Sequence, residues 1–251
     1  MNAPIALITG GSRGLGRSGA EHLARQNTDL IITYKGSKAE AEKVVAYAQS
    51  QGRKAAALQL DVANSASFKA FADEVKKVLQ SWGRTHFDFL VNNAGTALYA
   101  TIEQTTEAQF DEAFNVHLKA PYFLTKALLP LIADGGRIIN ISSGLARFSV
   151  PGMSAYAAMK GAIEVLTRYL AKELAPRGIT VNTVAPGAIA TDFSGGAVRD
   201  NPEMNRFVSS VTALGRAGVP DDIGPMVASL LSDANRWVTG QRIEASGGMF
   251  L

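Results

Sequence analysis

Cysteine is absent from the 251 residues, which removes disulfides, thiolate metal sites, iron–sulfur clusters and cysteine nucleophiles together. Charge is scarce as well. Asp, Glu, Lys and Arg make up 19% of the chain, below the roughly 25% of an average soluble protein. No apolar run reaches the ~18 residues that a membrane-spanning helix needs, and the candidate from Ala127 to Ala133 is broken by Pro130. No basic stretch precedes the short apolar run Ile5–Ile8, so the start does not read as a signal peptide. The 25 Lys and Arg against 22 Asp and Glu leave a net charge of +3. Those charges are scattered rather than run together, which argues against a nucleic acid or a membrane surface as partner. The three histidines, His22, His86 and His117, lie far apart with no ligand spacing, so none is assigned to a metal or to catalysis.

Apolar residues are plentiful at 47%, enough to bury a large core, and disorder is excluded as the general condition. A soluble, cytoplasmic protein is expected. Short β-rich runs at Ile5–Ile8, Leu30–Tyr34, Ala56–Leu60, Phe89–Val91, Arg137–Ile141, Thr180–Val184 and Arg242–Glu244 read as seven strands. Helix-length segments alternate with them, with apolar residues at helical spacing, as in Phe68, Phe71, Val75, Val78 and Leu79. Thr106 followed by Gln109 forms a capping box for a helix running towards Leu118. Strict alternation of strand and helix means βαβ units and a parallel sheet covered on both faces, an α/β fold. No linker divides the chain, so residues 1–251 read as one domain.

Thr9-Gly10-Gly11-Ser12-Arg13-Gly14-Leu15-Gly16 follows the first strand and opens the first helix. Glycines there let backbone N–H groups approach a pyrophosphate at the positive end of a helix. The spacing G-x-x-x-G-x-G departs from the common G-x-G-x-x-G, and with it the chain resembles the short-chain dehydrogenases/reductases from the first strand to the last residue. The resemblance implies a single Rossmann-type doubly wound parallel sheet of about seven strands, and a bound nicotinamide dinucleotide.

Which dinucleotide follows from the end of the second strand, where NAD enzymes carry an acid. This chain reads Thr33-Tyr34-Lys35-Gly36-Ser37, with the nearest acids, Asp29 and Glu40, before the strand and inside the next helix. Lys35 and Ser37, with Arg13, suit a 2′-phosphate, while read alone Lys35 is a solvated turn lysine. NADP(H) is therefore the expected cofactor, with Tyr34 as its ribose-phosphate neighbour or else a surface residue. By resemblance Asp61-Val62 is the adenine-binding pair, and Asn92-Asn93-Ala94-Gly95 stabilises the sheet and lines the cofactor groove. The resemblance also brings Pro186, Gly187, Ile189 and Thr191 to the nicotinamide.

Three pairs have a lysine four residues after a tyrosine: Tyr34/Lys38, Tyr122/Lys126 and Tyr156/Lys160. A cation near a phenol favours phenolate and lowers its pKa towards a useful range. The family places a serine about 13 residues before its tyrosine, at a strand end; for Tyr156 that residue is Ser143, for the other two Glu21 and Gln109. Tyr156/Lys160 is thereby the catalytic pair with Ser143, and Tyr122 reads as a helix packing residue. Asn115 alone is an ordinary helix residue; by resemblance it is the fourth catalytic member, holding a water that leads protons from the lysine.

The implied reaction is NADPH-dependent reduction of a ketone or keto ester to a secondary alcohol. Leu98, Tyr99, Leu145, Phe148, Met153, Ile189 and Phe193 are expected on the substrate side. A lid is expected at Ala197–Ala213, with Met204 and Phe207. A 3-oxoacyl-acyl-carrier-protein reductase is the alternative: Arg177 matches one of that enzyme's basic carrier contacts, but Asp134 stands where the other is expected. A non-catalytic NADPH-binding sensor would need a broken Ser/Tyr/Lys set, which this chain does not have. The resemblance further implies a homotetramer, or else a dimer, with the tetramer packed through helices at Thr106–Leu118 and Ala155–Ala175. The apolar ending Ser246–Leu251 is expected to dock, near a neighbouring subunit's site.

Overall fold

The computed structural model describes residues 3–251. Among them run, in chain order, β1 (Ile5–Ile8), α1 (Gly14–Arg25), β2 (Asp29–Tyr34), α2 (Lys38–Ser50), β3 (Ala55–Gln59), α3 (Phe68–Ser81), β4 (Phe87–Asn92), α4 (Glu107–Phe114), α5 (Ala120–Leu128), β5 (Ile132–Ile141), α6 (Ser154–Leu174), β6 (Thr180–Pro186), α7 (Ala197–Asp200), α8 (Pro202–Ser210), α9 (Pro220–Leu230) and β7 (Arg242–Ala245). The strands form one sheet in the order β3-β2-β1-β4-β5-β6-β7, every pairing parallel. β1, β2 and β6 bury nearly all their side chains, and β5 does so from Gly136 onwards, as strands covered on both faces must. One face packs Leu23, Val44, Ile223 and Val227 against Ile8, Ile32 and Val91. The other packs Phe71, Leu79, Leu124 and Leu174 against Leu7, Leu90 and Ile138.

Strand order reverses between β3 and β4, so a crevice opens at the carboxyl ends of β1 and β4, where such sheets bind ligands. A chain of buried polar groups ties the strands beside it to the helices. Asn92 Nδ2 donates to Asn140 Oδ1 at 2.8 Å and to Thr125 Oγ1 at 3.2 Å. Asn140 Nδ2 in turn donates to Thr167 Oγ1 at 2.9 Å, and Thr183 Oγ1 donates to the same oxygen at 2.7 Å. Each group is satisfied within the chain, so its burial rigidifies β4, β5, β6, α5 and α6 as a unit.

Several sequence expectations shift. β2 begins at Asp29, not Leu30, because Asp29 Oδ1 accepts from Lys54 N and pairs the strand one residue earlier, at the sheet edge opposite the crevice. β5 begins at Ile132, with a register shift against β4 and Gly135 at φ +75°, before the regular run from Arg137. The capping box forms, Thr106 N donating to Gln109 Oε1 and Gln109 N to Thr106 Oγ1. The helix it opens nevertheless ends at Phe114, and a π turn over Asn115–Lys119 precedes α5. Tyr34 is 9% exposed, its ring inside the core, and so is not a surface residue. Tyr122 is 49% exposed beside Phe123 rather than packed. The C-terminal tail docks on its own chain: Met249 is buried, Phe250 N donates to Val211 O, and the Phe250 ring lies 4.7 Å from that of Phe148. Among the described residues no helix is long and apolar enough to cross a membrane.

Candidate active site

The turn after β1 is shaped by close approach. Gly10 has φ +64°, and a Cβ on Gly16 would come within 2.4 Å of the Gly10 carbonyl. Only glycine fits where the loop folds back onto the start of α1. Thr9 Oγ1 accepts from Asn93 N and Ala94 N at 3.0 Å each, and Asn93 Nδ2 donates to Thr9 O at 2.8 Å. The Asn92–Gly95 turn and the glycine turn are thus one assembly. Arg13, before α1, makes no side-chain cap, and the first turn of α1 carries no acid. Its N–H groups are left to an anion at the positive helix end, the environment a pyrophosphate requires. Ser12 is buried, while Leu15 packs partly on the core beneath.

The other nucleotide candidates gather along the same edge. Lys35 Nζ lies 2.9 Å from Asp61 Oδ2, which holds the Asp61 carboxyl below its usual range. No carboxylate stands between Tyr34 and Ser37, and Lys35 is largely exposed at that strand end. Val62 packs on the core below the pair. Arg13, itself largely exposed, lies 3.9 Å from Asp192, in the loop after β6. That loop passes the glycine turn, since a Cβ on Gly14 would sit 3.7 Å from Thr191 Cγ2. Pro186 ends β6, Gly187 N donates to Ala245 O, and Ile189 bridges to Gly218. The fit to a dinucleotide phosphate is good.

β5 and α6 deliver the polar centre. Ser143 follows the last residues of β5 in extended backbone, and its Oγ accepts from Leu145 N at 3.2 Å. Tyr156 and Lys160 stand one helical turn apart on α6, 7% and 5% exposed. Lys160 Nζ donates to Ile141 O at 2.8 Å and lies 5.4 Å from the centroid of the Tyr156 ring. Burial pushes the Tyr156 phenol well above the ordinary tyrosine range, and the neighbouring Ser143 hydroxyl opposes the rise. Burial also pulls the Lys160 ammonium down to about 7. Desolvation is the largest cause of both shifts, favouring the neutral phenol and weakening the ammonium.

Apolar and aromatic groups border the pair. The Tyr156 ring has Phe193 at 6.0 Å and His117 edge-on at 5.0 Å. Leu145, Phe148 and Met153 are half-buried in the segment before α6, and Leu98 and the exposed Tyr99 lie in the segment tied to it by Ala100 N donating to Gly152 O. Asn115 is half-buried in the π turn and, among the described residues, makes no hydrogen bond to Ser143, Tyr156 or Lys160. His22 bonds the Ser18 carbonyl and His86 the Thr85 hydroxyl, so of the three histidines only His117 comes to the site. Sequence reading also missed a support behind it. Ser142 Oγ donates to Glu164 Oε1, Arg242 joins Glu164 to Glu244, and Arg147 joins Glu244 to the Met249 carbonyl. The Arg147 guanidinium holds the Glu244 carboxyl at about 2. A separate groove of about 600 Å³ between α3 and α5, lined by Lys69, Lys76, Phe123 and Lys126, contains none of these residues.

Comparison with known proteins agrees with this geometry. A family model described as enoyl-(acyl carrier protein) reductase matches residues 10–250. The 3-oxoacyl-(acyl-carrier-protein) reductase of Staphylococcus aureus is 38% identical over 248 residues, covering 98% of each chain. The promiscuous reductase LugOII, which catalyses keto-reduction at C1 in lugdunomycin biosynthesis, superposes with a TM-score of 0.93 at 39% identity, over 99% of this chain and 98% of its own. The angucycline C-6 ketoreductase LanV, solved with NADP bound, gives 0.93 at 34% identity over 98% and 95%.

The buried lysine supplies a pH prediction. Between about pH 7 and pH 10 the unfolded chain binds a proton at Lys160 that the folded chain has released, so this group adds stability as pH rises through that window. Unfolding by denaturant without nucleotide should show a more positive stability slope for wild type than for Lys160→Met over that range; equal slopes would mean that Lys160 stays charged when folded. The glycine turn, the parallel sheet and the Ser143, Tyr156 and Lys160 cluster, together with these matches, place the chain in the short-chain dehydrogenase/reductase family of oxidoreductases.

Proposed function

We propose that this chain is an NADPH-dependent carbonyl reductase that converts a ketone or keto ester to a secondary alcohol, using Ser143, Tyr156 and Lys160. The observation that carries the reading is the pairing of a buried, protonated phenol with a serine hydroxyl at the carboxyl edge of β5, bordered by apolar side chains. NADPH, when bound, supplies the hydride that reaches the carbonyl carbon. Ser143 donates a hydrogen bond to the carbonyl oxygen, where negative charge grows, so its effect falls mainly on the transition state. Tyr156 gives that oxygen its proton. Lys160, poised near neutrality, offsets the charge left on the phenol and orients the nucleotide ribose. Reduction is the favoured direction, because burial keeps the phenol proton in place for donation.

NADPH rather than NADH is supported by the missing carboxylate at the end of β2 and by Lys35 there, free to exchange Asp61 for a 2′-phosphate. The neighbours solved with NADP are consistent with it. A small free carbonyl is favoured over a carrier-bound thioester by the state of Arg177. Its guanidinium donates to Asp134, Leu129 O and Ile132 O, so it is committed to the start of β5 and not presented to an acidic carrier. The carrier-protein reductase is the second reading, on the name of the Staphylococcus aureus relative. Met204 and Phe207, exposed on α8, suit a lid that closes an apolar substrate in. Phe110, Phe114, Tyr122, Phe123 and Tyr169, exposed on α4, α5 and α6, support subunit packing through those helices, as in a homotetramer.

Tyr156→Phe removes only the donor hydroxyl. It should cut kcat by at least about 100-fold while NADPH affinity stays within about threefold, read by initial rates and fluorescence titration; near-wild-type turnover would end the assignment. Lys35→Asp should move the ratio of kcat/KM for NADPH over NADH towards NADH by at least about tenfold. An unchanged ratio would place 2′-phosphate recognition elsewhere.

A further inference from the structure

Lys160 and Glu164 are four residues apart on α6, the spacing at which a lysine and a glutamate on one helix face can meet as an ion pair. Among the described residues no ion pair joins them. Lys160 Nζ donates to the Ile141 carbonyl, and the Glu164 carboxylate turns to two other groups. Its Oε1 accepts from Ser142 Oγ at 2.8 Å and from Arg242 Nε, on β7, at 2.7 Å. The Arg242 and Glu164 side chains are only 24% and 14% exposed, so leaving either charge without the other is costly.

Both residues bear on the backbone that carries Ser143. Glu164 holds Ser142 by its side chain, and Arg242 Nη2 donates to the Ser143 carbonyl at 3.5 Å, the longest of its bonds. Ile141, Ser142 and Ser143 are therefore tied to Lys160, Glu164 and Arg242 in turn. Arg242 Nη1 also donates to Glu244 Oε2 at 2.9 Å, but Arg147 grips Glu244 with two further bonds of 2.7 and 2.8 Å. Glu244 thus keeps a cation when Arg242 is removed. Glu164 is left with the two cations one turn away on α6. Arg168 is exposed and donates to the Glu164 backbone carbonyl. Lys160 is buried on the side the carboxylate already faces, where Ser142 Oγ also lies 3.0 Å from the Lys160 carbonyl.

We propose that Glu164 and Arg242 are positioning residues of this site: Glu164 fixes the Ser142–Ser143 backbone through the Ser142 hydroxyl, and Arg242 keeps the Glu164 carboxylate from pairing with Lys160. The ammonium is thereby left for Tyr156 and the nucleotide. Neither residue touches the reacting atoms. The proposal rests on the reading of Ser143, Tyr156 and Lys160 as the reacting groups.

Initial rates of the full chain with NADPH and a β-keto ester test it. Glu164→Gln keeps an amide oxygen for Ser142 and Arg242 and drops the charge, whereas Glu164→Ala keeps neither. Glu164→Ala should lower kcat about tenfold, with KM and NADPH affinity within about threefold, and Glu164→Gln should retain most of the rate. Ser142→Ala should lose as much as Glu164→Ala, and the double variant no more than either alone. Arg242→Leu frees the carboxylate and should lower kcat about tenfold; adding Glu164→Gln should raise it again by about fivefold. A purely structural role predicts otherwise: thermal stability falls with each change, and the second substitution in Arg242→Leu brings no recovery. Wild-type kcat in Glu164→Ala or Arg242→Leu, additive losses at Ser142 and Glu164, or an Arg242→Leu defect that Glu164→Gln leaves in place would overturn the proposal. If Arg242→Leu does not fold, the Ser142 and Glu164 variants decide, coupled losses supporting the proposal and additive ones ending it. Tyr156→Phe separates the two levels. If it is inactive while Glu164→Ala turns over normally, only this proposal fails; if both turn over normally, the reading of the site fails with it.

Discussion

Lys160 donates from Nζ to the Ile141 carbonyl at the end of β5, and Ser142, the next residue along, gives its one hydroxyl proton to Glu164 Oε1 on α6, with its Oγ 3.0 Å from the Lys160 carbonyl. This reciprocal clamp fastens the middle of α6 to the carboxyl end of a central strand, and the site follows from it. It sets Tyr156 one turn earlier on α6 facing Ser143, and it buries an ammonium where water cannot stabilise the charge. A buried lysine with few anionic partners shifts towards neutrality, and a buried phenol shifts away from ionisation. The same placement weakens the lysine as a cation and favours the protonated tyrosine.

The clamp is backed by two polar layers of different character. Beneath it, the Asn92, Asn140, Thr167 and Thr183 chain is neutral and fully paired, so it locks strands to helices without introducing charge into the core. Behind it, Glu164, Arg242, Glu244 and Arg147 are ionic, partly exposed, and lead to the C-terminal tail. The tail's Phe250 meets Phe148 and its Met249 bridges to Thr212. The C-terminal tail is therefore joined to the segment that follows Ser143.

Much of this was legible in the residues because local chemistry leaves local marks. Glycines at 10, 14 and 16 announce a turn that no other side chain fits, and Thr106 with Gln109 announces a helix start. Ser143, Tyr156 and Lys160 are legible as a strand end and a helix face, since both have fixed periods. The π turn left no such mark. Asn115–Lys119 contains no glycine or proline that would announce a break in the helix. A helix read as continuous gives no sign that His117 is buried beside the Tyr156 ring. Tyr122, and the surface alternative for Tyr34, were misread for a related reason: an aromatic ring near an element's end is buried or exposed by what lies across from it, which one strand or helix does not encode. The Arg147–Glu244 pair joins residues 97 apart and was invisible for the same cause.

The most direct test of the account is NADPH oxidation by the purified chain, with NADH in parallel, against aryl ketones, β-keto esters, diketones, sugars and an acyl thioester. The account predicts turnover with small ketones or keto esters and a clear preference for NADPH. Tight NADPH binding with no carbonyl turned over, or activity confined to the acyl thioester, would contradict it.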